Sequence, residues 1–122
     1  MNLNYSETIE FQGDFKRLLK KFQSLDVDFE RSRRSVIEVF HIGKINNNSI
    51  FQIQGFGTEK VKIFKLKKFA CKYLKSFGVR SGIRIIYAYN CEENTVTFIQ
   101  IYFKGQEENE NRQRIKDYLG GL

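Results

Sequence analysis

The sequence predicts an α+β fold in which a strand and two helices precede a set of antiparallel strands and a final helix. Two observations lead to this prediction. Residues 82–89 and 95–103, on either side of a polar turn, are rich in β-branched and aromatic side chains, as two paired strands are. The segment after Asp14 has apolar residues at the spacing of a helix stripe, and the tail has a shorter stripe of the same kind.

The N-terminal third is predicted to form a strand and a helical pair. Residues 8–12 form the predicted strand, and Asp14 stands in the N-cap position of the first helix. The apolar stripe of that helix consists of Phe15, Leu18, Leu19 and Phe22. A second helix is predicted over residues 27–42, and so short a connection favours an antiparallel pair. His41, the only histidine, lies near its end, where a histidine is more often a capping or core residue than a catalyst.

A β-hairpin is predicted from residues 82–89 and Thr95–Phe103, which are rich in β-branched and aromatic side chains. Residues 90–94 connect them. Residues 61–69 are interpreted as the strand that leads into this hairpin, and residues 50–54 as a weaker strand. Residues 106–119 are predicted to form a helix with Glu107, Glu108 and Glu110 in its first turns, where negative charge suits the helix dipole.

Arg84 places a charge in the middle of an otherwise apolar predicted strand. A buried guanidinium has to be paired, whereas an exposed one on a sheet face is a candidate anion ligand. A connection with an odd number of residues sets Arg84 on the same face as a polar set, and an even one sets it with an apolar set. The polar set is Gln100, Tyr102 and Lys104, and the apolar set is Ile99, Ile101 and Phe103. We predict the polar set, because an arginine among apolar residues would have to be desolvated.

Length and composition predict one domain over residues 1–122 with a well-filled core, because 41% of the residues are hydrophobic and 15% are aromatic. The net charge of +7 favours a polyanionic partner such as nucleic acid, an acidic protein or anionic lipid, with a solvated basic surface as the alternative. Residues 60–84 contain nine basic residues and no acidic one, so we expect a positive patch there.

The two cysteines, Cys71 and Cys91, have no metal-site or redox spacing and are expected to be reduced thiols. The N-terminus lacks a signal-peptide pattern, and no apolar run approaches the roughly twenty residues of a membrane span. A cytoplasmic protein is expected.

Three short motifs follow one another along the chain: Phe64-Lys65-Leu66-Lys67, then Ser81-Gly82-Ile83-Arg84-Ile85-Ile86-Tyr87, and then Phe103-Lys104-Gly105. Taken in this order, they resemble the RelE/ParE superfamily of bacterial toxins. The opening strand with residues 14–21 is similar as well, and residues 110–115 resemble one subgroup. The resemblance covers most of the chain and is poorest over residues 43–57. It implies a RelE-like fold, with an N-terminal strand and helical hairpin packed on a curved antiparallel sheet, a basic concave face and a C-terminal helix.

The resemblance also implies catalytic residues. Arg84 matches the strand arginine of the family, and a guanidinium is suited to stabilising a phosphorane. Lys65 and Lys67 match the paired strand lysines, one of which could act as a base if neighbouring cations lower its pKa. Lys104 matches the basic residue that closes the last strand. Tyr118 follows Arg112 at the spacing of a C-terminal tyrosine in some active members, although it also fits the apolar side of the tail helix.

The candidate catalytic residues are therefore Arg84, Lys65, Lys67, Lys104 and Tyr118. The candidate nucleic-acid ligands are Lys68, Lys72, Lys75, Arg80 and Arg112. Lys72 and Lys75 are also rivals for the role of the strand lysines.

RelE-like members hold mRNA in the ribosomal decoding site, where the ribose 2′-OH attacks the phosphate without a metal, so no cofactor is expected. The partners implied are a cognate antitoxin and mRNA on the ribosome. ParE-like members act on DNA gyrase, so a gyrase inhibitor or a catalytically silent protein of the same fold is the alternative. A third interpretation is a small basic α+β domain that binds an acidic protein.

Overall fold

A computed structural model describes residues 2–45, 48–67, 69–71 and 81–122. Five strands form one sheet: β1 (Asn4–Glu7), β2 (Ile50–Gln52), β3 (Val61–Leu66), β4 (Ile83–Asn90) and β5 (Thr95–Phe103). Their order across the sheet is β1-β5-β4-β3-β2. The hairpin of β4 and β5 lies at the centre, and β2, β3, β4 and β5 pair antiparallel in succession, as expected. The N-terminal strand β1 pairs in parallel with β5, the last strand of the chain, and forms one edge of the sheet.

The first helix, α1 (Ile9–Lys21), begins earlier than predicted. Thr8 is its N-cap, and the Thr8 hydroxyl accepts a hydrogen bond of 3.1 Å from the Phe11 backbone N–H. The expected strand at residues 8–12 is therefore wrong, since the strand lies just before it. Asp14 is not the N-cap but a buried residue in the middle of α1, where its carboxylate pairs with Arg114 of the last helix.

The second helical region contains α2 (Leu25–Ser32), a π-helical segment (Arg33–Ile37) and α3 (Glu38–His41). The expected helix over residues 27–42 is confirmed in position, with a π-helical segment that the apolar spacing did not indicate. Phe11 of α1 and Phe29 of α2 pack with ring centroids 5.6 Å apart. Both rings also contact Phe98 of β5, at 5.4 Å and 4.8 Å. The two helices thus cover one face of the sheet.

The last helix, α4 (Arg112–Gly120), is shorter than predicted and begins at the N-cap Asn111. The acidic residues expected in its first turns lie before it, in residues 105–111, because two of them bind partners on the sheet. Ile115 of α4 is fully buried against the sheet face opposite to α1 and α2. Its apolar neighbours on that face include Ile63, Ile86 and Ile99.

The sheet therefore carries a core on each face. The larger one joins α1, α2 and the π-helical segment to one side of the strands, and the smaller one joins α4 to the other side. We call these the helical-pair face and the α4 face. The α4 face is the one that bears Arg84, so the tail helix and the candidate site share one side of the sheet.

Candidate nucleic-acid interface

The register of the central hairpin changes part-way along β5. Near the turn Asn90 lies opposite Thr95 and Tyr87 lies opposite Phe98. One step further Ile86 lies opposite Gln100, so Ile99 is the extra residue of a β-bulge. Residues 91–94 form an even-numbered connection, which by itself would set Arg84 opposite Ile101. The bulge adds one residue, and Arg84 lies opposite Tyr102.

Arg84 consequently lies on the face that carries Gln100 and Tyr102, which confirms the predicted polar set. It does so through the bulge and not through the parity of the connection. Arg84 is half-buried, and its Nη1 donates a hydrogen bond of 2.8 Å to the backbone carbonyl of Lys67. The carbonyl takes one donor of a guanidinium that has five, so the side chain keeps donors for an anion.

Lys65 lies on the same face, opposite Ile86 in the pairing of β3 with β4. Its Nζ donates a hydrogen bond of 2.8 Å to Glu110 Oε1, and its side chain is only 14% exposed. The same Nζ lies 5.8 Å from the centroid of the Tyr102 ring. Burial alone would lower the pKa of Lys65, but the hydrogen bond to Glu110 and the nearby Tyr102 phenol raise it above its usual value.

The lowering of the pKa that was considered for one of the two strand lysines does not occur at Lys65. The physical reason is the nearby carboxylate, which stabilises the charged form of the amine. The catalytic role expected of Lys65 or Lys67 stays a prediction.

Glu110 links two of the candidate residues. Besides the bond to Lys65, its Oε2 lies 3.5 Å from Arg112 Nη2, and its side chain is only 9% exposed. Burial would raise the pKa of Glu110, but the hydrogen bonds it accepts and the charges of Lys65 and Arg112 lower it below its usual value. The carboxylate is thus held in its charged form between two cations.

Gln100 anchors the segment that carries Glu110, residues 105–111, which we call the acidic segment. Its Oε1 accepts a hydrogen bond of 2.7 Å from the Asn111 backbone N–H, and its Nε2 donates one of 3.1 Å to Glu107 Oε2. Gln100 is the second residue of the bulge and is 2% exposed. The bulge therefore sets Arg84 opposite Tyr102, and its residue Gln100 holds the acidic segment on the sheet.

Lys67 and Lys104 are exposed at the same end of the sheet. Lys67 lies just beyond β3, and its Nζ is 4.8 Å from the centroid of the Phe51 ring. Lys104 lies just beyond β5, and its backbone N–H donates a hydrogen bond of 2.8 Å to the Gly82 carbonyl. The structure thus sets Lys65 and Arg84 on the sheet face of Tyr102, with Lys67 next to them through its backbone carbonyl. We call these four residues the basic cluster. Lys104 lies beside its edge.

Two candidates from the tail lie differently. Arg112 is 63% exposed, pairs with Glu110 and lies over the Phe56 ring with its Cζ 5.6 Å from the centroid. Tyr118 is half-buried, packs on the apolar residues of the α4 face and lines a crevice with Thr8 and Arg114. These contacts belong to the fold, as its helical spacing indicated, and a catalytic role for Tyr118 stays a prediction. Lys68, Lys72, Lys75 and Arg80 lie outside the described residues.

Two side chains of the site were not singled out from the sequence. Tyr102 is 2% exposed, and its hydroxyl, which lies near the Lys65 amine, has no acceptor for its proton within the described parts of the chain. The sequence did offer one indication of Tyr102, because the predicted register already set it on the same face as Arg84. Glu110 gave no signal of its own, because its partner Lys65 lies 45 positions away.

His41 is buried, and its Nε2 lies 2.8 Å from the Tyr87 hydroxyl, while its ring stacks on Tyr89 with centroids 4.1 Å apart. Burial, together with the charge of Lys44, lowers the pKa of His41 to about 4. The prediction that it is a core residue is confirmed. Cys71 and Cys91 are both free thiols, also as expected.

Among residues 2–45, 48–67, 69–71 and 81–122, no group of three or more His, Cys, Asp or Glu side chains could hold a metal ion. The helices in this part of the chain are all too short or too polar to cross a membrane.

No protein-family profile and no curated protein matches the sequence. The fold does match solved structures. One is the archaeal RelE–RelB complex from Pyrococcus horikoshii OT3, with a TM-score of 0.52 over 87% of this chain and 99% of that chain at 10% identity. The chain has a RelE-like fold. The metal-bound toxin from Helicobacter pylori matches with a TM-score of 0.51 over 86% of this chain and 98% of that chain at 14% identity.

The expected RelE-like fold, of the α+β class with a C-terminal helix, is thereby confirmed. At such low identity the likeness concerns the arrangement of strands and helices. The chemistry of this RelE-like fold has to be argued from its own side chains.

Proposed function

We propose that residues 1–122 form one RelE-like toxin domain of a type II toxin–antitoxin system that cleaves mRNA on the ribosome. The observation that carries the proposal is the basic cluster, in which Lys65 and Arg84 share a sheet face with the buried Tyr102, and the Lys67 carbonyl binds Arg84. The structural neighbours are a toxin in complex with its antitoxin and another toxin. A polyanion is the partner that such a cluster favours.

The chemistry we propose is attack of the ribose 2′-OH on the adjacent phosphate, which forms a pentacoordinate phosphorane and expels the 5′ oxygen of the next nucleotide. Arg84 would stabilise the phosphorane, because a guanidinium stays charged and can contact two phosphate oxygens. Lys65 would hold a phosphate, since its raised pKa keeps it charged. Lys67 and Lys104 would contact flanking phosphates from the exposed rim.

The partner we propose is an antitoxin whose acidic or amphipathic segment covers the basic cluster. The archaeal neighbour is a RelE–RelB complex, which supports this assignment. Charge reversal at Lys67 and Arg84 together should abolish the complex, measured by co-purification of the product of an adjacent antitoxin-like gene. Retention of the complex in that variant would place the interface elsewhere.

A gyrase inhibitor or a catalytically silent protein of the same fold is the second candidate. It is favoured by one observation, the ion pair of Lys65 with Glu110, which stabilises the charged amine and so disfavours Lys65 as the base. Both functions would use the same charged face, so charge alone does not separate them.

Induced expression followed by mapping of mRNA 5′ ends separates the two. Cuts within translated codons, absent when translation is blocked, are the outcome expected of a ribosome-dependent nuclease. DNA damage and inhibited supercoiling without such cuts would replace the nuclease by the gyrase inhibitor. Neither effect at full expression of folded protein would leave the silent binding protein.

Binding to purified ribosomes or RNA should weaken as salt rises, since each phosphate contact releases counterions. For a single strand, each contact contributes a slope of about −0.7 in a plot of log affinity against log salt. Replacement of Lys67 by Gln should therefore reduce the slope by about that amount. A flat salt response would count against a phosphate-binding role for this face.

A further inference from the structure

The acidic segment contacts the basic cluster at Lys65 and is held on the sheet by three hydrogen bonds that involve side chains. Glu107 accepts one from Gln100, Glu110 accepts one from Lys65, and the Asn111 backbone N–H donates one to Gln100. The third acidic residue of the segment, Glu108, is exposed and makes neither kind of contact among the described residues. The segment is therefore held by specific side chains and not by its charge alone.

Glu110 is bonded as an anionic ligand would be. Its two carboxylate oxygens face two different cations, Lys65 at 2.8 Å and Arg112 at 3.5 Å. The shorter distance is typical of a charge-assisted hydrogen bond to either a carboxylate or a phosphate oxygen. The position of this carboxylate thus marks a place where an anionic oxygen is stabilised.

Tyr102 gives a second indication of an anion site. The Lys65 amine can donate to its buried hydroxyl, as the effect of Tyr102 on the pKa of Lys65 indicates, but no acceptor for the hydroxyl proton lies within the described residues, which is unfavourable for a buried hydroxyl. The Tyr102 ring lies 5.8 Å from Lys65 Nζ, on the same sheet face. One oxygen of Glu110 bonds Lys65 and the other faces Arg112, whereas a phosphate carries further oxygens for the phenol.

We propose that the acidic segment is an internal gate, in which Glu110 occupies the position of a backbone phosphate of single-stranded RNA and is displaced when RNA binds. The inference rests on the proposed function, because the ligand is the RNA of that same site. After displacement the phosphate would meet Lys65, Arg112 and the hydroxyl of Tyr102. The gate keeps the most buried cation of the cluster paired until a polyanion competes for it.

Both ends of the acidic segment are held in place, so the part between them can move when Glu110 is displaced. Gly105 lies against the Phe103 ring, where an added Cβ would come within 2.6 Å of a ring carbon. Asn111 caps α4 through its side chain, which accepts a hydrogen bond of 3.2 Å from the Arg114 backbone N–H. Displacement of Glu110 can therefore occur between two fixed ends without unwinding the helix.

The test compares Glu110→Gln with Glu108→Gln, which removes the same charge from an exposed position of the same segment. The probe is a uridine oligonucleotide with 2′-O-methyl groups, which cannot be cleaved by its own 2′ oxygen. We expect Glu110→Gln to bind it about tenfold more tightly than wild type, which corresponds to ~1.4 kcal/mol. Glu108→Gln should change the affinity less than twofold, as a distant charge does in salt. Lys65→Gln introduced into the Glu110→Gln protein should remove the gain.

The outcomes separate the gate from the proposed function. Equal gains in the two variants, or no gain in Glu110→Gln, would overturn the gate while RNA binding stands. If no variant binds RNA, tripolyphosphate is titrated as a second probe. A gain for tripolyphosphate in Glu110→Gln alone would keep the gate and overturn the RNA function, and no binding of either probe would overturn both. Thermal melts verify that each variant is folded.

Discussion

Asp14 of α1 and Arg114 of α4 meet around the edge of β5, although they are 100 positions apart in the chain. Arg114 Nη2 donates a hydrogen bond of 3.0 Å to Asp14 Oδ1, and Arg114 Nη1 bonds Asp14 Oδ2, so the pair is bidentate. Asp14 also accepts the Ile101 backbone N–H at 3.4 Å. The pair therefore joins helices on opposite faces of the sheet. Asp14 also provides an acceptor for a backbone N–H of β5 in the part of the strand that β1 does not reach.

Replacement of Arg114 by Met should lower the free energy of unfolding by ~2 kcal/mol, because it leaves a buried carboxylate with less compensation. Asp14 keeps its contact of 2.6 Å with Arg17, which limits the loss. The matched control is Arg112→Met, two positions earlier, because the Arg112 side chain is 63% exposed. This substitution should lower the free energy of unfolding by less than about 0.5 kcal/mol. Urea denaturation measures both, and equal losses would mean that the pair does not stabilise the fold.

Replacement of Arg84 by Ala should lower mRNA cleavage by roughly a hundredfold, the scale for loss of one transition-state donor. The thermal midpoint should change little, because the half-buried side chain makes one described hydrogen bond, to the Lys67 carbonyl. Arg34→Ala is the control, since Arg34 is 73% exposed on the helical side and pairs only with Glu30 in the described residues. Loss of stability with normal cleavage by the folded fraction would make Arg84 a structural residue.

Replacement of Tyr102 by Phe should raise the free energy of unfolding by ~1 kcal/mol, because it removes a buried hydroxyl whose proton has no described acceptor. The same change should lower cleavage or RNA affinity if the phenol contacts the phosphate. Tyr87→Phe is the matched control, because the Tyr87 hydroxyl is bonded to His41 at 2.8 Å. In the Tyr87→Phe variant the free energy of unfolding should fall by ~1 kcal/mol, and the activity should be unchanged. Opposite signs of the two stability changes, measured by urea denaturation, are the required result.

Acidification should destabilise the fold through His41. Its pKa is lowered to about 4 in the native state, so between pH 6.5 and 4 the unfolded chain binds a proton that the folded chain does not. Stability from this group is complete above pH 6.5 and declines as the pH falls towards 4, by a total of ~3 kcal/mol. His41→Gln, which can still bond the Tyr87 hydroxyl, should show a flatter decline in urea denaturation. An identical pH profile in both proteins would assign the decline to the carboxylates.

The strands of the hairpin were predictable because their signal is local. Thr95–Phe103 has the boundaries expected from its β-branched and aromatic residues, and β4 differs from its predicted range by one residue at each end. The core position of His41 also followed from its place at a helix end. These elements are determined by side-chain composition and burial within one short segment.

The errors arose where a side chain is used by a distant partner. Asp14 has the local features of a helix cap, but Arg114 draws it into the interior, and Thr8 caps the helix instead. Glu107 and Glu110 have the local features of a first helical turn, but Gln100 and Lys65 bind them before the helix begins. Contacts of this kind depend on the assembled sheet, which no single segment encodes.

The bulge at Ile99 has an evolutionary consequence, because it lets β5 lose one residue at this point without a change of register. Deletion of Ile99 would leave Phe98 opposite Tyr87 and Gln100 opposite Ile86, so Arg84 would still lie opposite Tyr102. The α4 face would lose one apolar side chain and keep both its tyrosine and the Gln100 anchor. A lineage with this architecture can therefore shorten β5 by a single codon and keep the sheet face that carries the candidate site.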